Sequence, residues 1–149
     1  MIDKVEDIIK GLKKVGSPMM SEVFDNSSIQ AQSIDRNQFQ MYEQGINADE
    51  QSLGQYAYST IEYKTRIAGG LGNDTRNDHV TLKDTGDFYR SMKFEKDDES
   101  FWISGDADKG GHDLTRMYGN ILGLTADSLD YLREEIVERF QDKIWEEIT

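Results

Sequence analysis

The stretch TLKDTGDFYRSM, Thr81 to Met92, and the stretch RMYGNILGLT, Arg116 to Thr125, decide how this chain is read. Both are apolar and glycine-marked, and they bracket a segment with the pattern of a β-hairpin. Met92–Lys96 and Ser100–Gly105 alternate apolar and polar residues around a turn at Asp97-Asp98-Glu99. The alternation puts Met92 and Phe94 on the same side as Phe101 and Ile103. Trp102 falls on the opposite side. There it either caps the other face of the sheet or meets a partner, since aromatic residues are enriched at interface hot spots. Val80-Thr81-Leu82 reads as a short strand, and Asp84 or Thr85 as the cap of a helical turn through Asp87, Phe88 and Tyr89. Close backbone approach explains Gly86, near that start, better than helix propensity does. The region carries no catalytic constellation and reads as packing and assembly.

The clearest element follows. From Thr125 to Ile148, the residues Leu129, Leu132, Ile136, Phe140, Ile144 and Ile148 recur at three- and four-residue steps, the stripe of a long amphipathic helix. Thr125 is its expected N-cap, with Asp127 at the positive end of the dipole. Glu135 and Arg139 have the favourable i,i+4 spacing. Val137 and Trp145 widen the apolar surface, so one side is expected to pack on the sheet while Trp145 meets another chain.

Upstream, Ile2, Val5, Ile8, Ile9 and Leu12 predict a helix over Asp3–Val15, capped by Asp3 with Glu6 and ended by Gly16 and Pro18. It is either an ordinary amphipathic helix or an arm that docks on a neighbouring subunit. Met19–Phe24 is apolar and long enough for one helical turn. Ser27 and Gln30 form a capping box for a second helix running to about Gln44, with Gly45 as its left-handed stop. Asn37, Gln38 and Gln40 dilute its apolar stripe and predict a half-exposed helix. After a polar connection over Ile46–Gly54, a short helix is expected from Ser59, capped with Glu62 at N3. Tyr56, Tyr58 and Tyr63 form either a rim of the core or a sticky surface. Gly69–Asp78, with three glycines, two asparagines and two aspartates, reads as a mobile loop.

Composition sets further bounds. The chain has 149 residues, enough for one domain that buries roughly two-thirds of its unfolded surface. Apolar residues make up 36% and charged residues 31%, which implies a modest core with long solvated faces. The 29 acidic and 17 basic residues leave a formal net charge of −12, which argues against binding nucleic acid through phosphate contacts. The chain has no cysteine, so disulfides, thiolate metal sites and thiol chemistry are excluded. No run approaches the about 18 apolar residues of a membrane span, and the N-terminus lacks an apolar signal core. Production and retention in the cytosol, with no membrane partner, is the expectation.

Three chemical patterns bear on function. The glycines Gly69-Gly70-x-Gly72 lack the Gly-Lys-Ser/Thr that a phosphate loop requires, and no apolar strand leads into them. Asp106-Ala-Asp-Lys-Gly-Gly-His-Asp-Leu114 suggests a calcium loop, with Gly111 at the sixth position. Its fifth position is Gly110 and its twelfth Met117, where side-chain oxygens are required. A polar loop entering a short helix over Asp113–Tyr118 is the simpler reading. His79 and His112, beside Asp78 and Asp113, would need a nucleophile or further ligands supplied by the fold to make a hydrolase or metal site, and both read as surface residues. No catalytic, cofactor or metal residue is expected.

At Thr85-Gly86-Asp87-Phe88-Tyr89-Arg90-Ser91-Met92 the chain resembles the virion-morphogenesis, or tail-completion, family of tailed phages and prophages. That family's pattern of Leu, Thr-Gly and Ser-apolar is met by Leu82, Thr85-Gly86 and Ser91-Met92. Upstream, Ser59-Thr60-Ile61 and Lys64 are similar to its Ser-Thr-apolar stretch and lysine. Downstream, Gly119 and Ile121-Leu122-Gly123-Leu124-Thr125 are similar to its apolar-Leu-Gly-Leu-Ser/Thr motif. The order and spacing of these blocks carry the resemblance, over Leu53 to Thr149. Phe88-Tyr89 stands where a smaller apolar residue is commoner, and Asn120 replaces a frequent basic residue.

The resemblance implies an α+β fold, a small antiparallel sheet packed by N-terminal helices and the long C-terminal helix. It also implies a structural virion protein at the neck or tail terminus that assembles into rings without a cofactor. Its partners would be other copies of itself and portal, connector or tail-tube proteins. Leu82, Thr85, Gly86, Ser91, Gly119, Leu122, Gly123 and Leu124 would be packing residues, and Trp102 and Trp145 interface residues. An acidic interaction protein outside the virion, a DNA mimic or an assembly chaperone, is the alternative. A small hydrolase is a third possibility. In packed motifs, Gly86→Val and Gly123→Val should do more damage than Gly70→Val in the soft loop.

Overall fold

A computed structural model describes residues 19–66, 76–98 and 100–148, the side chain of Ile148 excepted. The expected helix over Asp3–Val15, positions 69–75 of the expected loop, and Glu99 of the hairpin turn lie outside the described residues. The fold is α+β.

Residues 19–24 are helical and lead into helix α1, Ser27–Phe39. Its N-cap is Asn26, not Ser27. The Asn26 side-chain oxygen Oδ1 accepts from Ser28 N (3.0 Å) and Ile29 N (3.1 Å), so the expected capping box does not form. Gln30 instead donates to Phe24 O (2.8 Å), tying the two helical stretches together. A π turn, Gln40–Gln44, continues the helix and stops at Gly45 with φ 65°. A β-carbon on Gly45 would lie 2.6 Å from the His79 ring, so glycine is required there twice over.

Helix α2 spans Tyr58–Arg66 and starts one residue before the expected cap. Val80–Leu82 is not a strand. Thr81 is fully buried, and tyrosines satisfy its backbone: Thr81 N donates to Tyr56 Oη (3.0 Å), and Tyr89 Oη donates to Thr81 O (2.5 Å). Leu82 then takes a left-handed φ of 61°, which ends any extended run. The short helix α3, Asp87–Arg90, follows Gly86, whose φ is 86°.

The hairpin forms as its alternation predicts. Strand β1 is Lys93–Lys96 and β2 is Phe101–Ser104, antiparallel, with Phe94 opposite Ile103 and Lys96 opposite Phe101. Phe94 and Phe101 stack on the core side, and Phe24 meets both edge-on. The stretch read as a polar loop contains a second, two-residue hairpin, β3 Asp108–Lys109 and β4 His112–Asp113. Its Gly110-Gly111 turn has φ of 59° and 87°, the positive values that such a two-residue hairpin turn demands. Helix α4, Leu114–Tyr118, follows, capped by Asp113.

The C-terminal helix α5, Ala126–Ile148, packs chiefly along α1, whereas the sequence suggested the sheet. Leu132, Phe140 and Ile144 of the predicted stripe are buried, and Ile136 is partly buried. Leu129 is 46% exposed. One core cluster joins Phe140 and Ile144 to Met19, Val23 and Ile29. A larger one gathers Met41, Leu53, Val80, Phe88, Tyr89, Met92, Ile103, Leu114 and Ile121. Helix α1 and its π turn serve both, through Ile29 at one end and Met41 at the other.

Candidate assembly interface

The two glycine-marked motifs meet at Gly105. A β-carbon there would lie 3.2 Å from Leu122 Cδ2 and 3.4 Å from both Met92 Cγ and Ser91 Oγ. The Ser91 hydroxyl donates to Phe88 O (2.6 Å) and accepts from Asp106 N (2.8 Å), so it fastens the end of α3 to the exit of the hairpin. In the same motif the Thr85 hydroxyl donates to the Asp87 carboxylate (2.9 Å), which also pairs with Arg90. These contacts, Thr85 first and Arg90 second, hold Asp87 below the usual carboxylate range. Leu82 and Leu124 pack on the larger cluster.

The second motif is held from behind by three buried amides. Asn37 donates to Ile121 O (2.8 Å) and accepts from Gly123 N (3.0 Å). Gln40 donates to Gly123 O (2.9 Å) and accepts from Thr125 N (2.9 Å). Side chains three residues apart on a helix thus pair with alternate residues, Ile121, Gly123 and Thr125, of the bent segment that leads into α5. Asn47 donates to Tyr118 O (3.0 Å) and accepts from Asp49 N and Gln51 N, and Ala48 N donates to Asn120 O (2.8 Å). Gly119 and Gly123 lie against this support. β-Carbons on them would sit 3.1 Å from Asn47 Nδ2 and 3.1 Å from Ala48 Cβ.

The helix is half exposed as expected, but Asn37 and Gln40, read as diluting its apolar stripe, are fully buried on its inward side. The sequence does carry a signal: Ile29, Ser33, Asn37, Gln40 and Met41 follow helical spacing and define the inward face, but their polarity hides it. Below them the Thr125 hydroxyl accepts from Ser128 N (3.2 Å) and so caps α5 as expected.

Apolar residues remain outside this frame. Trp102 is 46% exposed, and its indole N–H donates to Glu95 (2.9 Å) on β1. Beside it runs an apolar groove of about 350 Å³ between β2, the Leu122–Leu124 segment and Leu129. Trp145, near the end of α5, is 66% exposed. Of the three tyrosines, Tyr56 packs on the core, whereas Tyr58 and Tyr63 lie exposed on α2. On the α1–α5 face, the Arg36 guanidinium lies between the rings of Phe39 and Tyr131, 4.4 and 4.6 Å from their centroids.

His79 is not a surface residue. Its side chain is 14% exposed, and Nε2 meets Tyr42 O at 2.7 Å, with Asp78 3.4 Å from Nδ1. The described end of the glycine-rich loop is pinned, because Arg76 pairs with both Asp78 and Glu43. That pairing draws the Asp78 carboxyl down to about 2. His112 is exposed on β4. Among the described residues, no three His, Cys, Asp or Glu side chains are grouped to hold a metal ion. Nor is any helix there long and apolar enough to cross a membrane.

Searches against protein-family models, curated proteins and solved structures return no match to this chain.

Proposed function

We propose that this chain is a structural virion protein of a tailed phage or prophage, placed at the head–tail neck or tail terminus, where it completes the joint by assembling into a ring. One observation carries the reading. The two blocks of the tail-completion pattern fold against one another at Gly105, with Ser91 and Met92 from the first and Leu122 from the second. Ser91, Met92 and Leu122 thus share one packed point, whereas Thr85 and Gly119, expected as packing residues, are exposed.

Two further features support it. Trp102, Trp145, Tyr58 and Tyr63 leave large side chains outside the core, as a subunit that buries surface in an assembly requires. A net charge of −12 per chain, repeated around a ring, would line a passage that repels DNA and lets it slide through.

A second reading, an acidic interaction protein kept out of the virion, is favoured by one patch. Glu134, Glu138 and Asp142 project at four-residue steps around an open groove of about 490 Å³ on α5. As a DNA mimic it would compete with DNA for basic proteins.

Native mass spectrometry and negative-stain microscopy of the purified chain, alone and mixed with the portal and tail-tube proteins of its phage, separate the two. Closed rings, or a stoichiometric complex with either partner, are expected. A chain that binds neither partner but displaces DNA from basic proteins would replace the virion reading with the second one.

A further inference from the structure

The outer edge of β2 is built for pairing. Asp97 N donates to Ser100 O (3.0 Å), which makes 97 and 100 a hydrogen-bonded pair. Hydrogen-bonded and non-bonded pairs alternate along an antiparallel ladder, so Glu95–Trp102 and Lys93–Ser104 are the next bonded pairs. The backbone N–H and C=O groups of Phe101 and Ile103 therefore point away from β1. Among the described residues nothing bonds to them.

Natural edge strands are usually blunted with charge or proline. In β1, three of four residues are charged: Lys93, Glu95 and Lys96. By contrast β2 reads Phe-Trp-Ile-Ser, with neither device. The groove beside it is lined by Phe24, Phe101, Ile103, Leu122, Leu124 and Leu129, among other residues, and none of its lining carries a charge.

We propose that the chain pairs with a second copy of itself along this edge, two antiparallel β2 strands meeting about a two-fold axis at Trp102. Phe101 of each copy would exchange hydrogen bonds with Ile103 of its partner, which joins the two hairpins into a four-stranded sheet. A copy of the same strand is the occupant that the pattern fits. The outward groups at positions 101 and 103 are symmetric about 102, so β2 is its own antiparallel complement. In a chain of net charge −12, an uncharged strand along an uncharged groove is also where two copies meet least repulsion. The two Trp102 side chains would face each other at a non-bonded pair, with β-carbons about 5 Å apart. This dimer stands apart from the virion reading, because a two-fold contact closes on itself and a ring needs a separate head-to-tail surface.

The chain has no cysteine, which makes the test direct. In Trp102→Cys, a disulfide can form only between copies, and the facing β-carbons would fall near disulfide distance. Under mild oxidation the full-length variant is expected to give a covalent dimer much faster than Tyr58→Cys, a control at a position that is 81% exposed. Sedimentation of the unmodified chain should show a monomer–dimer equilibrium that shifts toward dimer with added salt. Trp102→Lys and Trp102→Glu should each be monomeric with unchanged circular dichroism, and mixing them should restore a dimer. Cross-linking of Trp102→Cys no faster than the control overturns the proposal, as does a mixture that stays monomeric. Rings in which Trp102→Cys does not cross-link would also overturn it, and would leave the virion reading standing.

Discussion

The Gln40 side chain accepts the amide hydrogen of Thr125 at 2.9 Å, and both residues are buried. The bond joins the π turn to the N-cap of the C-terminal helix across 85 positions of sequence. Deleting a buried partner leaves the other group without water or protein, a cost of about 1–3 kcal/mol per orphaned group. Gln40→Leu orphans Thr125 N–H and Gly123 C=O, and Asn37→Leu orphans Gly123 N–H and Ile121 C=O. Each is expected to lower stability by about 2–4 kcal/mol in urea unfolding. Gln44→Leu, on an exposed position, should change it by less than about 0.5 kcal/mol. Equal midpoints for all three variants would show that the amides do not hold the motif.

Glycine substitutions should sort by environment. Gly123→Val pushes a branched side chain toward Ala48 Cβ, 3.1 Å from the first added carbon, and overpacking of this kind costs about 1–3 kcal/mol. Gly86→Val forces a β-branched residue to φ 86° and loses a similar amount to backbone strain. Gly105→Ala tests the junction between the motifs, since Leu122, Met92 and Ser91 all lie within 3.4 Å of the new carbon. Thermal melts should place all three below the parent chain. A melt of Gly105→Ala at the parent temperature would remove the junction as a tightly packed point.

Core deletion gives a calibrating contrast on α5. Leu132 is fully buried, whereas its neighbour Tyr131 is 60% exposed beside Arg36. Leu132→Ala is expected to cost about 2–5 kcal/mol. Tyr131→Ala should cost about 1 kcal/mol, the scale of an exposed cation–π contact. Chemical denaturation of both variants checks the order, and a reversed order would mean that α5 sits rotated from the orientation described.

Acid should loosen the joint between α1 and α5. Burial by itself would raise the Glu135 pKa, but Arg139, Gln32 and Ser28 outweigh it and hold the carboxylate below its usual range. A carboxylate with a lower pKa when folded stabilises the protein above the unfolded value, about 4.3, and that contribution is lost as pH falls through the folded value. Asp78, drawn to about 2 by Arg76, acts in the same sense. Glu135→Gln should therefore melt about 2–4 °C lower at neutral pH. It should also show a shallower decline than the parent between about pH 5 and pH 3. Parallel pH profiles would exclude Glu135 as a contributor.

Local patterns were the legible part of this fold. Alternation over Met92–Gly105 and the long stripe over Thr125–Ile148 identified the hairpin and the final helix, because burial there follows a strand or helix period. Three features escaped for one shared reason: polar groups act inside. Asn37 and Gln40 looked solvated because polarity and exposure usually coincide. Thr81 looked like part of a strand because side-chain hydroxyls replacing ladder bonds leave no periodic trace. His79 looked superficial because its partner, Tyr42 O, is a distant backbone carbonyl. The second hairpin was read as a polar loop, because strands of two residues leave no alternation to detect.

The candidate site was only half legible. The motif residues were named from their order in the sequence, and the sequence also singled out Trp102 and Trp145 as apolar side chains off the main faces. It did not indicate that Gly105 is where the motifs meet, since the approach of positions 91 and 122 to Gly105 has no local signature. The unpaired edge of β2 likewise emerges only from the register of the hairpin.

Quantitative mass spectrometry of purified phage particles, released by infected or induced cells that carry this chain, tests the central claim most directly. The account predicts the chain in mature particles at a fixed, ring-sized copy number, far below that of the major capsid protein. Absence from particles, with abundance in infected or induced cells, would contradict it and leave the acidic interaction protein as the standing explanation.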